Sequence, residues 1–181
     1  MFARTDRLLL RPGWIEDAPA LFTAIRDEAI VRNLATAPSP YRLDDAAAFL
    51  ATERKADDPV MLIFRRTGGE PELIGTIGFA GRPGGEVELG YWIARAHWNR
   101  GYATEAGAAV LRMARDTYRL PRLVAGHFLD NPASGRVLEK LGFRPTGAIM
   151  PRYSAGRGAF APVKNYAREL AEADAEEAMA A

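Results

Sequence analysis

Four groups of residues between Glu86 and Phe143 have types and spacings that could do chemistry. The first is the turn Trp98-Asn99-Arg100-Gly101-Tyr102-Ala103-Thr104, which opens a run with helical periodicity. The first amides of a helix lack intrahelical partners and its dipole favours negative charge there, so such a turn suits an anion. Gly101 has no Cβ to hold a phosphate off the main chain, Ala103 is nearly as small, and Thr104 adds a hydroxyl donor. A phosphate-bearing ligand is one reading; a plain strand-to-helix bend is the other. The second group, Asn131 and Ser134, has residue types that cap a helix or hydrogen-bond a ligand. The third is Glu88 in EVELGYWI, where strand alternation sets it with Glu86, Gly90 and Trp92, opposite Val87, Leu89, Tyr91 and Ile93. A carboxylate beside a tryptophan in a groove is a candidate base, acting directly or through water, and an ion-paired strand residue is the alternative. The fourth is His127, a second base candidate or a hydrogen-bonded structural imidazole.

Other chemistries are excluded or unsupported. The chain has no cysteine, which rules out disulfides, thiolate-bound zinc, iron–sulfur clusters and an acyl-cysteine intermediate. His97 and His127 have no nearby ligand pattern, so no metal is expected. Neither a G-x-x-x-x-G-K-[ST] loop nor a G-x-G-x-x-G turn after a first parallel strand is present, which argues against ATP or NAD. A net charge of +1 gives no field to select nucleic acid or an anionic membrane. The start, MFARTDRLLLRPGW, lacks the long apolar stretch of a signal peptide, and no run approaches a membrane span, so a cytoplasmic protein is expected.

The elements that must position these residues follow from periodicity. At 181 residues one domain is expected over 1–170, with 171–181 an acidic, alanine-rich tail that is weakly helical or disordered. DRLLLR (6–11) reads as a strand ended by Pro12-Gly13. Asp17 can cap a helix with Pro19 in its first turn and Leu21, Phe22, Ile25 and Ile30 along its buried side. Asp44 can cap a second helix carrying Ala46, Phe49 and Leu50. VMLIFRR, ELIGTIGFA and EVELGYWIA form an antiparallel meander. A helix over 101–118, a strand over 122–128, a helix over 131–141 stopped by Gly142, and two weaker strands at 143–150 and 160–170 complete a mixed sheet covered by helices.

In order, GYWI, RGYATEA and NPAS…VLEKLGF, with RLLLRP at the start, resemble the GNAT superfamily of acetyl-CoA-dependent N-acetyltransferases. The likeness is greatest to the branch containing ribosomal-protein N-terminal alanine acetyltransferases. The resemblance implies an α/β (α+β) fold: a mixed, mostly antiparallel sheet of six or seven strands, splayed in the middle and covered by about four helices. It implies acetyl-CoA as cosubstrate, cradled at its pyrophosphate by Trp98, Asn99, Arg100, Gly101, Tyr102, Ala103 and Thr104. Trp98 departs from the commoner Gln or Arg. The backbone of Tyr91, Trp92 and Ile93 would pair with the pantetheine arm, with Gly90 at a close approach or merely packed in the strand. Asn131 and Ser134 match the positions that hold the pantetheine and its sulfur. Many members carry an acidic tyrosine where this chain has Leu138, which leaves Ser134 as the thiol partner.

The implied reaction is direct attack of a primary amine on acetyl-CoA in a ternary complex. A peptide α-amine titrates near about 8 and a lysine near about 10.4, so an N-terminal acceptor needs less help from a base. Glu88 matches a glutamate common in the branch. A small-molecule amine acetyltransferase, with Trp14, Trp92 and the loop from Asn33 to Arg42 closing the pocket, is the alternative acceptor class, and a non-catalytic CoA-binding module is another. A monomer or homodimer is expected. Arg152 and Arg157 read as solvated loop cations or as readers of an acidic acceptor.

Overall fold

The computed structural model describes residues 2–55 and 57–170, so the expected tail at 171–181 lies outside the described residues. One mixed sheet holds strands β1 (Ala3–Arg4), β2 (Leu8–Arg11), β3 (Val60–Arg65), β4 (Glu72–Gly81), β5 (Val87–Ile93), β6 (Arg122–Phe128), β7 (Arg144–Ser154) and β8 (Ala159–Glu169). Their order across the sheet is β1-β2-β3-β4-β5-β6-β8-β7, and every neighbouring pair is antiparallel except β5 with β6. Helices α1 (Ala18–Ile25), α2 (Glu28–Val31), α3 (Leu43–Ala51), α4 (Tyr102–Asp116) and α5 (Pro132–Lys140) accompany it.

Among the described residues eight strands stand where six or seven were expected and five helices where about four were, for local reasons. A short extra strand, β1, precedes the expected one, and Thr5 Oγ1, which accepts from the Leu8 amide at 2.9 Å, turns the chain between β1 and β2. Ile30 does not continue α1; Asp27 accepts from the Ala29 amide at 2.9 Å and starts α2 afresh. The start of α3 falls two positions earlier than an Asp44 cap would set it, at N-cap Arg42, whose amide donates 2.7 Å to Asp45. The last two strands form a longer hairpin than expected, with the arginine- and glycine-containing loop reduced to residues 155–158.

The sheet separates two cores, which explains the near-continuous apolar runs in β3 and β4. On one face Leu8, Leu10, Met61, Ile63, Ile77, Leu89 and Ile93 pack with α4 and α5 residues such as Ala106, Val110 and Leu138. On the other, Leu62, Phe64, Leu73 and Trp92 pack with Leu21 and Ile25 of α1, Ile30 of α2 and Ala46 of α3. Strand alternation thus sends Leu89 and Ile93 to the α4/α5 side and Trp92 to the α1/α3 side.

Two contacts fix the helices that flank the site. Arg11 grips Asp17 through two nitrogens at 2.7 and 2.8 Å, with its guanidinium 3.9 Å from the Trp14 ring centre and 4.2 Å from that of Phe64. That pair pins the start of α1 to the end of β2. Across the sheet, Gly107 of α4 lets α5 approach, since a Cβ there would run into the Leu141 side chain. Gly107→Val is therefore expected to lower unfolding stability by about 1–3 kcal/mol. Urea denaturation should show this as a lower midpoint at unchanged slope.

Candidate active site

The β5–β6 pair is registered at one position, Glu88 opposite Val124, after which β5 runs on to Ile93 and β6 to Phe128 without further pairs. The sheet opens there, as the resemblance implied. Each strand then leads into a helix, so the N-termini of α4 and α5 stand at the carboxyl ends of the two parallel strands. In sheets of this kind ligands bind in that crevice. Gly90 sits at the opening, and a Cβ added to it would meet nothing within 4 Å. The glycine is therefore not packed tightly, and the space beside the strand suits a close-lying ligand.

The turn into α4 has the form of an anion cradle. Asn99 has φ 60° and Gly101 φ 80°, so two left-handed residues bend the backbone ahead of the helix in the manner of an amide nest. Tyr102 is buried beneath it, and the Trp98 indole N–H donates 2.6 Å to the Ile93 carbonyl, tying the turn to the end of β5. Thr104 lies in the first turn of α4. Glu105, also in that turn, accepts from the Thr5 hydroxyl at 2.5 Å, the Arg7 amide at 2.9 Å and the Arg7 Nε at 2.7 Å. Arg7 in turn donates 3.0 Å to the Arg100 carbonyl and lies 4.6 Å over the Tyr102 ring. Burial pushes the Glu105 carboxyl up, but the Thr5 and Arg7 hydrogen bonds and the Arg7 charge outweigh it and hold the carboxyl below the usual range.

At the start of α5, Asn131 Oδ1 accepts from the Ser134 amide at 3.4 Å, the expected cap. The Ser134 hydroxyl is 2.8 Å from the Tyr91 hydroxyl, which is also 3.1 Å from the Ser134 carbonyl. Burial pushes the Tyr91 phenol up to about 12 despite its bond to Ser134. Leu138, one turn on from Ser134, is buried in the core.

Glu88 faces the α1/α3 side and is ion-paired: Arg152 Nη1 is 2.7 Å from Oε1 and Arg82 Nε 3.4 Å from Oε2. A carboxylate offers about four lone-pair positions, so these leave room for a further donor. His127 is placed elsewhere. Its Nδ1–H donates 2.8 Å to the Phe128 carbonyl, its ring centre is 5.5 Å from that of Tyr166, and Nε2 lies 2.7 Å from where a Cβ on Gly135 would be. The ring is thus under α5, on the face opposite Glu88. Arg157 is not a solvated loop cation either. It donates to both Asp130 oxygens at 2.8 Å, to the Arg32 carbonyl at 2.6 Å and to Asn33 at 3.1 Å. Asp130 also takes Arg32 at 2.9 Å, and the Arg157 hydrogen bond chiefly holds its carboxyl below the ordinary range. Ser154 Oγ donates 2.7 Å to the Leu34 carbonyl, and the Ala155 amide 2.9 Å to that of Ala35. The β7–β8 tip is thereby fastened to the segment after α2 and to the residue before Asn131.

Residues 7–144 match the acetyltransferase (GNAT) domain family. The chain belongs to the GNAT acetyltransferases. A curated relative, the uncharacterized N-acetyltransferase YoaA of Bacillus subtilis (strain 168), is 33% identical over 152 residues, spanning 80% of this chain and 84% of its own. A GNAT-family acetyltransferase from Bacillus anthracis has the same fold, with a TM-score of 0.80 at 25% identity over 95% of this chain and 100% of that one. RimL, a ribosomal α-N-protein acetyltransferase solved in complex with coenzyme A, superposes at TM-score 0.76 with 21% identity, covering 93% and 98% of the two chains. At that identity the likeness is one of fold.

In this GNAT chain the sequence reading missed the Arg7–Glu105 clamp, the Asp130 hub and the Tyr91–Ser134 contact. Each joins residues 27 to 100 positions apart, a separation that no local pattern reports. Among the described residues no group of three His, Asp or Glu side chains could hold a metal ion, and no helix is long and apolar enough to cross a membrane.

The Glu105 clamp makes a pH-resolved prediction. Because the folded carboxyl is held low, its contribution is full above the ordinary glutamate value of about 4.3 and is lost as pH falls through the lower folded value. Glu105→Gln should cost about 1–2 kcal/mol at pH 7, allowing for the partial exposure of Arg7. Urea midpoints for variant and parent should converge as pH drops below about 4.

Proposed function

We propose that the chain moves the acetyl group of acetyl-CoA to a primary amine by direct attack in a ternary complex, with a peptide or protein N-terminal α-amine as acceptor. The observation that carries this reading is the opening of the sheet past Glu88, with the amide nest at one side and the Ser134 hydroxyl at the other. The residues present fit the cofactor: Gly90 leaves space beside β5, and Gly101 keeps the turn free of a side chain.

In this assignment Trp98, Asn99, Arg100, Gly101, Tyr102, Ala103 and Thr104 hold the pyrophosphate, mainly through backbone amides. The unpaired edge of β5 at Tyr91, Trp92 and Ile93 lines the pantetheine arm, and an amide there meets the carbonyl oxygen as it gains charge. Asn131 caps α5 through its oxygen and keeps its side-chain N–H donors for the arm, so the two readings of this residue coexist. Glu88 accepts the proton the amine loses, directly or through water, while Arg152 and Arg82 hold it in place. The nitrogen bonds the acetyl carbon, the carbon–sulfur bond breaks, and the electron pair leaves on sulfur, to which Ser134 donates a hydrogen bond. An alkyl thiol titrates near about 8.5, so the sulfur departs with little protonation.

The choice of acceptor draws on two points. An α-amine is far closer to its free form at neutral pH than a lysine is. The β7–β8 tip is fastened to residues 32–35, and Arg152 of the same hairpin pairs with Glu88, which supports an acceptor path bounded on that side. A path bounded in this way would admit a chain terminus and turn away the middle of a polypeptide.

Thiol release measured with peptides bearing free or blocked N-termini, and with small amines, tests the assignment. Turnover confined to free N-termini is expected. Turnover on small amines alone would move the acceptor to the metabolite class, and tight CoA binding with no turnover on any amine would leave a binding module. Gly101→Glu should abolish CoA binding seen by calorimetry, through bulk and charge repulsion. Gly101→Asn, which tolerates the left-handed φ, separates this from backbone strain. Glu88→Gln should reduce kcat on the order of 10²-fold at pH 6.5, where the amine is mostly protonated. The deficit should shrink above the amine pKa of about 8; an unchanged pH–rate profile removes Glu88 as base.

A further inference from the structure

The half-buried Tyr91 phenol touches Ser134, and the backbone role assigned to Tyr91 does not use it. It lies on the α4/α5 face of β5, partly buried against the core, with its oxygen 2.8 Å from Ser134 Oγ and 3.1 Å from the Ser134 carbonyl. The tyrosine many GNAT enzymes carry one turn further along α5 is here the buried Leu138. The site therefore has a phenol, but it enters from the sheet.

We propose that Tyr91 is a positioning residue that aims the single Ser134 hydroxyl proton at the thioester sulfur. The inference rests on the acetyl-CoA reading above. Two hydroxyls offer two protons, and two arrangements satisfy the observed distances. In one, the phenol donates to the Ser134 carbonyl and Ser134 Oγ–H donates to the phenol oxygen, so its only proton is used. In the other, the phenol donates to Ser134 Oγ and the serine proton is released to point into the crevice. Charge developing on sulfur selects the second arrangement, and the phenol bond polarises the serine O–H it feeds. Tyr91 keeps its proton throughout. With its phenol pushed up to about 12 by burial, it is a neutral donor across the working pH range and too weak an acid to protonate a thiolate. The step thus transfers no proton between these residues: the carbon–sulfur bond breaks, its electron pair stays on sulfur, and the hydroxyl pair reorients around that charge.

The test is read on bound CoA, without turnover. Thiolate absorbance of the enzyme–CoA complex is titrated with pH in the parent, Tyr91→Phe, Ser134→Ala and the double variant. The parent should bind CoA with its thiol titrating below the free value; each single variant should raise it by a similar amount, and the double variant no further than Ser134→Ala. Turnover should follow: Tyr91→Phe lowers kcat about tenfold while KM for acetyl-CoA stays within about twofold, and its effect vanishes in the Ser134→Ala background. A Tyr91→Phe complex whose thiol titrates as the parent's does overturns the proposal, as does a loss in kcat that multiplies with that of Ser134→Ala. A parent that binds no CoA overturns the acetyl-CoA reading, and this inference falls with it. Should Tyr91→Phe fail to fold, the Ser134→Ala and parent titrations compared with fluorotyrosine-labelled protein decide it. A more acidic phenol should lower the bound thiol's titration further, and no movement overturns the proposal.

Discussion

The fold depends on a pairing that is abandoned almost as soon as it is made. β5 and β6 share one registered position, Glu88 with Val124, and then part. Unpaired backbone in a sheet interior is costly unless water or a ligand takes its hydrogen bonds. The surrounding structure holds the gap open. β5 is bonded along its whole length to β4, and β6 along its whole length to β8. Each half of the sheet therefore has its hydrogen bonds without the other, while the α4/α5 core runs under both halves and the second core backs only the β2–β5 half. The crevice is a consequence of two well-paired blocks that meet at a single point.

An open seam needs its rims fixed, and the rims here are fixed by charge. Glu105 ties the turn before α4 to the β1–β2 connection through Thr5 and Arg7. Asp130 ties the entry to α5 to the β7–β8 tip and to α2 through Arg157 and Arg32. In both cases an acid next to a candidate cofactor-binding residue is gripped by arginines from elements remote in sequence. Such carboxylates are held ionised at neutral pH, so the rims are stiffest where the chemistry would run. Arg7, Arg32 and Arg157 are engaged with these acids, which fits a cradle that would meet phosphate mainly with backbone amides.

The legibility of this arrangement in sequence follows the range of the forces involved. β6 was readable to the residue because RLVAGHF lies between a turn and a cap. α5 was readable because Asn131 and Gly142 bracket it. The opening of the sheet could be anticipated only through family resemblance, since nothing in EVELGYWI says where its pairing to a distant strand stops. Ion pairs were the least legible. Glu88 could be placed on its face by alternation, but its arginine partners come from a turn and from the far edge strand. Arg157 looked like a loop cation because the loop was drawn too long; once β7 and β8 extend to residues 154 and 159, its guanidinium is brought against Asp130. His127 had a suitable ring in a suitable strand, yet the small Gly135 above it lets α5 settle on the ring and occupy its surroundings.

β5 also explains how the two halves of the assigned chemistry stay apart. Alternation sends Glu88 and Trp92 to the α1/α3 side and Tyr91 to the α4/α5 side. A base that must meet an incoming amine and a hydroxyl pair that must meet a departing sulfur would interfere if they shared a surface, since each would compete for the other's proton. A strand between them imposes the separation at no further cost, because neighbouring side chains point opposite ways. The same geometry makes the arrangement brittle. A shift of β5 by one residue against β4 would exchange its faces, moving the carboxylate toward α5 and the phenol toward Trp92's position. The full-length pairing of β4 with β5 resists that shift, and so the antiparallel side of β5 secures the chemistry assigned to its open side.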